Sequence, residues 1–564
     1  MTHYTSKIAI IVLLTALSAS SQQKLVETIE VRVANIDVVV RDKAGKPVVG
    51  LTKDDFELLE NGVAQRITNF YEIRRDSAAS PTQATQPESV SVSPAPAELR
   101  RRRVVLFVDS TSLRPATMTP VLDAVERFID NRVGPDDQMM IVHWRLGLHV
   151  ITPFTSDHAV LKRGFDTLTH LAPIPNPTRR VKRDIEDYYD DAQRGALGWE
   201  GAYGRSLGAV QSCSNEIVAQ ELALLESLHR TEATLAGLEG KKVILFVGET
   251  MPIRPGADLY GYTYNLFSPH LSRGTVMPGA IIPITHNMPM ESIMGIPGHD
   301  MPKRIEDVAQ AASADGVAVY SIGTGDVNSE FGADNSAPLD SSEAWARIGN
   351  TASSLNMMAE ITGGVAITRT TNFDLAFDAI AQDLDSYYSL GYRPPNDTNT
   401  SARKIVVKTK NRAYSVRTRE TLTLKSNDDQ MSDRVIANLY SDGLASTWPI
   451  TVRTGQPKRD GRYYIIPIQV VMPSTITLLP QENSLVGGLI LYVVVGSADG
   501  QTSDVVRHPQ GLKIPPAAES AIRSKPMTYT TGIRVKGGES TLSIAVLDQV
   551  SGAMGFARAK IAAR

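Results

Sequence analysis

The chain has 564 residues, of which 42% are apolar and 21% charged. That composition excludes wholesale disorder, a collagen-like repeat and a multi-span membrane protein. Lys and Arg number 58 against 61 Asp and Glu, a formal charge of −3, so no basic surplus points to nucleic acid as a partner. The single cysteine, Cys213, excludes an intramolecular disulfide and any all-cysteine metal site. The length alone predicts roughly three to four domains.

Residues 1–21 have the layout of a secretory signal peptide: Lys7, a ten-residue run at 8–17 broken only by Thr15, then small residues at 18–21. The run is too short to span a bilayer, so no membrane span is expected after cleavage. An exported chain with almost no cysteine suits a bacterial periplasm or exterior. Residues 22–75 read as a small β domain. Val31, Val33, Ile36, Val38 and Val40 carry strand-like patterning, and Asn61-Gly62 marks a hairpin. Residues 76–100 form a linker, mostly of Ser, Pro and Ala.

The texture changes at about residue 101. Apolar runs at 104–108, 243–247 and 317–322 read as strands buried on both faces, with further strands at 139–143, 148–151 and 365–368. Helical spacing appears at 115–132, 157–170, 215–238, 303–314, 341–361 and 373–386. Strands alternating with amphipathic helices predict an α/β fold, a parallel sheet covered on both faces. Two stretches interrupt it, 173–213 (polar, with an acidic cluster) and 250–300 (rich in Pro, Gly and Met), and both read as long loops. From 387 the pattern is β again. Strands at 387–425 are expected to pack with the N-terminal segment, because isolated short sheets are marginal. Spaced strands over 426–564 with Gly/Pro turns and no helical periodicity predict a β-sandwich-like domain.

Five segments carry a resemblance: VRVANIDVVVRDKAGKPVVGLTKDDFELLENGVAQRITNF at 31–70, LFVDSTSL at 106–113, LAGLEGKKVILFVGE at 235–249, MAEITGGVAI at 358–367 and DSYYSLGYRPP at 385–395. In this order they resemble a von Willebrand factor A domain, and more closely the VWFA-related proteins found mainly in acidobacteria. The resemblance implies a doubly wound, mostly parallel six-stranded sheet of order 3-2-1-4-5-6, at 101–386, flanked by all-β units. It places the ligand site at the carboxyl ends of the strands. In adhesive members Mg²⁺ or Mn²⁺ sits there, held by an Asp-x-Ser-x-Ser loop, a later Thr and an Asp ending the fourth strand.

Carried over residue by residue, Asp109 matches the first Asp and Thr111 keeps a hydroxyl at the first Ser. Leu113 replaces the second Ser and Val247 stands where the strand-ending Asp is expected, while Glu249 lies two residues later. The Thr has no assignable match; 206–214 is its vicinity. The metal candidates are therefore Asp109, Thr111 and Glu249, and the partner-binding candidates are Asp109, Ser110, Thr111, Ser112 and Glu249. Without a metal, Asp109 would serve as a cap for free backbone amides.

Other clusters have simpler readings. Met277, Met288, Met290, Met294 and Met301 with His286 and His299 have copper-ligand chemistry, but also suit an adaptable apolar loop. Asp184, Glu186, Asp187, Asp190 and Asp191 lack calcium-loop spacing and read as a solvated face. Arg100 to Arg103 reads as a linker end or local ion pair, and His143 as a hydrogen-bonded core residue. No nucleophile elbow, zincin or P-loop motif is present in the sequence. The expected function is an exported, non-enzymatic protein-binding or adhesion module with a degenerate metal site. Its partner would be another protein or a cell-surface polymer. The alternatives are a structural or assembly subunit that oligomerises through its β domains, or an unrecognised hydrolase.

Overall fold

The computed structural model describes residues 33–75, 100–113, 115–169, 177–248, 251–271, 276–277, 280–283, 301–324, 341–368, 370–395, 401–442, 444–497 and 500–563. The expected signal peptide, the linker, Glu249, and Met288, Met290, Met294, His286 and His299 lie outside them.

The central unit is a six-stranded sheet. In chain order its elements are β1 Arg102–Asp109, α1 Pro115–Arg132, β2 Gln138–Trp144, β3 Leu148–Thr155, α2 His158–Thr169, α3 Pro177–Gln193, α4 Trp199–Ala236, β4 Lys241–Gly248, α5 Ala257–Phe267, α6 Met301–Ala314, β5 Val317–Gly323, α7 Ser341–Thr362, β6 Ala366–Thr368 and α8 Phe373–Asp385. The strands are ordered 3-2-1-4-5-6, the order that the resemblance implies. All neighbours are parallel except β2 and β3, which form an antiparallel hairpin turned at Leu146 with φ 58°.

Every residue of β1 and of β5 is buried, as strands covered on both faces must be. Val104, Leu106 and Val108 pack under α1, α2 and α8. Val105 and Phe107 face the other way, against Leu224, Leu228 and Leu235 of α4 and Ile305 of α6. Alternate side chains of one strand thus build two separate cores.

The strands before and after this unit pair with each other. One sheet has the order Ser415–Thr418, Ala34–Arg41, Ser386–Tyr392, Ile67–Arg74; the second has Thr421–Leu422, Arg403–Thr409, Phe56–Glu60, Val63–Gln65. Ile36, Val38, Leu58, Tyr388, Leu390 and Ile405 fill the space between them. Neither half of this body closes a core alone, so the α/β unit is inserted into a β body built from both of its flanks.

The C-terminal region is two antiparallel sheets, packed face to face through Ile466, Ile468, Leu491, Val493, Ile533 and Ile544. A helix, Asn427–Ala437, covers the outer face of one of them through Met431 and Val435. The sequence reading had only strands here. It overlooked a complete capping box, in which Ser426 and Asp429 bond reciprocally across the first turn.

The loop expected at 173–213 is also corrected. It is helical: α3 fills 177–193, and α4 begins at Trp199 instead of about 215. Pro177 opens α3 at a position where its missing N–H costs nothing. The stretch 250–300 likewise contains a helix, α5. Arg102 and Arg103 lie inside β1 rather than in a linker, and Arg102 centres a buried ion-pair cluster.

Candidate functional site

At the carboxyl end of β1 the chain turns around Asp109, which is 2% exposed. Its Oδ1 accepts the backbone amides of Thr111 at 3.0 Å and Ser112 at 3.3 Å. Ser112 Oγ returns a hydrogen bond to the Asp109 carbonyl at 3.3 Å, and the Leu113 amide donates to the same carbonyl at 3.3 Å. The capping role is therefore present. Burial pushes the Asp109 carboxyl up to about 6, opposed by the hydrogen bonds from Ser112 and Thr111.

Ser110 faces away from the other hydroxyls. Its Oγ pairs with Nε2 of His143, at the end of β2. Burial, then the neighbouring His149 and Arg145, hold the His143 imidazole down to about 4. It is thus neutral near pH 7, while Ser110 Oγ donates to the Trp144 carbonyl at 3.4 Å. His143 is a hydrogen-bonded core residue, as its place in the sequence suggested.

The positions that depart from the metal-binding pattern are built into the core. Leu113 and Val247 are 5% and 0% exposed, both packed with Val108 and Val121. Gly248 ends β4 directly beside the loop: a Cβ there would lie 3.2 Å from Ser112 Oγ. The fourth strand therefore brings no carboxylate to the edge among the described residues.

The long helix brings one instead. α4 has 38 residues, about 57 Å at 1.5 Å per residue. Its C-terminal half lies on the sheet, with Leu224, Leu225, Leu228 and Leu235 in the core. Its N-terminal half runs on past the sheet into a second cluster, where Tyr203, Val210 and Cys213 pack with Val181 and Ile185 of α3 and Leu259 and Phe267 of α5. Glu221 sits where the helix leaves the sheet. Glu221 is 9% exposed and its Oε2 has no hydrogen-bond partner. Burial, and then the charge of Asp109, raise the Glu221 carboxyl well above the usual range. Thr111 Oγ1 is also buried, and its hydroxyl favours the charged form of the Asp109 carboxylate.

Of the predicted site residues, the structure brings Asp109, Thr111 and Ser112 together, turns Ser110 toward His143, and leaves Glu249 undescribed. Sequence reading missed Glu221. The signal was available. Ser214, Val218, Glu221, Leu225, Leu228, Glu232 and Leu235 repeat at alternating spacings of four and three, and all are buried, so two glutamates interrupt an inward stripe. Cys213 is buried and its thiol is pushed up to about 11 by that burial, which makes it an inert packing group.

The oxygen donors of Asp109, Thr111, Ser112 and Glu221 fit a hard divalent ion in chemical type. Among the described residues no three His, Cys, Asp or Glu side chains gather as a metal cluster.

No protein-family model matches the chain, and no curated protein matches it. Among solved structures it is similar to an aerotolerance-related membrane protein from Bacteroides fragilis (12% identity, 50% of this chain and 98% of that one, TM-score 0.23). It is similar as well to the vWF domain of the type V pili tip protein Mfa5 from Porphyromonas gingivalis (13%, 50% and 94%, 0.24). A third is proximal thread matrix protein 1 from the mussel byssus, with a zinc-occupied MIDAS motif (12%, 52% and 48%, 0.24). At these scores the fold rests on the strand order and pairing above, not on the matches.

Proposed function

We propose that the chain is an exported, non-enzymatic binding module of the von Willebrand factor A type, and that it engages a protein or a cell-surface polymer at the carboxyl-terminal edge of its central sheet. One observation carries this reading. The loop 109–113, at the point where strand order reverses between β1 and β4, is the place where open α/β sheets bind ligands. There Asp109 orders the backbone of Thr111 and Ser112, and α3, α5 and the overhanging half of α4 form a separate helical cluster. Export is inferred from the apolar run at 8–17.

The arrangement argues against hydrolysis at this edge. Ser110 and His143 form the one pair here that resembles a nucleophile and its base. They are 6% and 3% exposed, and the charged groups acting on the imidazole are His149 and Arg145, not a carboxylate that would orient it.

The test is interferometry of the chain from residue 22 onward against immobilised fibrinogen, collagen, peptidoglycan and cellulose. Thr111→Arg would block the edge, and Lys513→Glu, on a remote β strand, serves as control. The reading predicts binding to a panel member that falls at least tenfold in Thr111→Arg and is kept in the control. Binding that ignores Thr111→Arg, or none across the panel, counts against it.

A second reading, an assembly subunit joined through its β sheets, is favoured by the strand Val506–Ile514. Among the described residues it pairs on one side only, with Ser484–Ser497. Oligomers in sedimentation that Gln510→Pro abolishes would support it.

A further inference from the structure

We infer that the junction between the central sheet and the β body holds a site for a small oxyanion, hydrogen phosphate, made by Lys242, Arg419 and Ser389. It lies at the amino ends of β4 and β5, at the opposite end of the sheet from the loop 109–113, and does not depend on the binding-edge reading.

Three observations converge. First, a cavity of about 180 Å³ opens where the starts of β4 and β5 meet the strands Ala34–Arg41 and Ser386–Tyr392. Asp37, Lys242, Gly316, Ser389 and Arg419 are among the residues that line it. Second, two cations converge there. Gly316, in a left-handed turn at φ 70°, lets both approach: a Cβ at that position would lie 2.9 Å from Arg419 Nη1 and 4.0 Å from Lys242 Cε. Neither cation forms an ion pair among the described residues, because the nearby carboxylates are bound elsewhere. Asp37 takes Lys241 at 3.0 Å, Asp315 takes Lys425 at 2.7 Å and Glu239 takes Arg434 at 3.3 Å. Lys242 Nζ makes one long bond, 3.4 Å, to the Ala236 carbonyl. Arg419 donates to the carbonyls of Ser313, Ala314 and Asn35, which leaves N–H groups over from the five a guanidinium has. Burial makes both cations less basic, and Asp315 and Asp37 offset this from beyond ion-pair distance. Third, Ser389 is 1% exposed and its Oγ has no hydrogen-bond partner. Buried hydroxyls without a partner are rare unless a ligand completes them.

The groups left over are an ammonium, a guanidinium and a hydroxyl, all of them donors, so the ligand that satisfies them is an acceptor carrying negative charge. Asp37 then selects among oxyanions. It stands opposite Ser389 across the paired strands, and only its Oδ2 is engaged, by Lys241. Sulfate and chloride would meet this carboxylate with repulsion alone. Phosphate keeps an O–H near neutral pH and can donate it to Asp37 Oδ1, a charge-assisted hydrogen bond. The ion would bridge the inserted α/β unit and the β body, so its binding should also be read as stability.

The test is calorimetric titration of the whole chain with sodium phosphate, with sodium sulfate and sodium chloride at matched ionic strength beside it and the melting point as a second readout. Lys242→Met keeps the apolar stem and removes the charge. Ser389→Ala removes only the unpaired hydroxyl. Lys513→Met, on a remote β strand, controls for net charge. The expected result is one saturable phosphate site in the wild type and in Lys513→Met, weakened at least tenfold in Lys242→Met and at least threefold in Ser389→Ala. Sulfate should bind at least tenfold more weakly than phosphate. Phosphate at about ten times its dissociation constant should raise the melting point by about 3–5 °C. Circular dichroism checks that each variant folds; if Lys242→Met does not, Ser389→Ala decides. No saturable phosphate site in the wild type, undiminished affinity in folded Lys242→Met or in Ser389→Ala, or sulfate bound as tightly as phosphate overturns the inference.

Discussion

Asp137 holds the floor of the central sheet together, and its removal has a calculable cost. Its side chain is 2% exposed. It accepts from Arg102 Nε at 2.8 Å and Nη2 at 2.6 Å, from Arg75 Nη1 at 2.5 Å and from the Gly134 amide at 2.7 Å. Arg102 is buried too, its side chain 6% exposed, so Asp137→Asn leaves a guanidinium in the interior facing an amide that cannot take all of its donors. Breaking a buried ion pair from one side costs about 3–5 kcal/mol. Asp385, still 2.7 Å from Arg102 Nη1, keeps part of the charge compensated and puts the expected loss near the low end, about 3 kcal/mol. For a unit of this size that corresponds to a melting point lower by about 6 °C. Calorimetry supplies the melting point, and hydrogen exchange in β1 and β2 confirms that the loss is local. The double variant Asp137→Asn with Arg102→Met should recover part of the loss, because the unpaired buried charge is then gone. A drop of less than about 1 kcal/mol in Asp137→Asn, or a double variant as costly as the sum of its parts, would refute the argument.

Two further outcomes follow from the same geometry. Leu113→Ser, which restores the hydroxyl of the adhesive pattern, should cost about 3 kcal/mol, because Leu113 is a core side chain beside Val108 and Val121. It should not by itself create a saturable Mn²⁺ site, because Val247 still leaves the end of the fourth strand without a carboxylate; tight, saturable Mn²⁺ binding in calorimetry would contradict this. Glu232, also on the inward stripe of α4, is 2% exposed, and burial followed by a hydrogen bond to Asp315 raises its carboxyl to about 8. His229 on its own helix opposes that rise, and Lys425, Lys242 and Asp433 surround Asp315 from the other side. Between about pH 4.5 and 8 the unfolded chain has released this proton while the folded chain keeps it. Stability therefore falls as pH rises through that window, by up to about 1.4 kcal/mol per unit. Glu232→Gln, whose amide can still donate to Asp315, should flatten the slope of melting point between pH 5 and pH 8. An unchanged slope would contradict the assignment.

How far the sequence could be read depends on what each segment buries. The strands at 104–108, 243–247 and 317–322 were plain because both of their faces are covered, so nothing interrupts the apolar run. α3 was not, because only Val181, Ile185 and Ala192 are buried in a helix otherwise rich in charge that Pro177 opens. At the site, the loop 109–113 was legible as a motif. The burial of Glu221 was not, because that residue is more than 100 positions away and is placed by the register of a helix against a sheet. Departures from the motif were legible as departures, but not their reason: Leu113 and Val247 are apolar because the core of the sheet uses them. The pairing of the N-terminal strands with those after 386 was anticipated from the weakness of short sheets; which strand neighbours which required the structure.

The most direct test of the account is a binding measurement of the whole chain against a panel of matrix proteins and cell-wall polymers, wild type beside Thr111→Arg. The account predicts saturable binding to a panel member that falls at least tenfold in Thr111→Arg. Binding that ignores Thr111→Arg, or none across the panel, would contradict it.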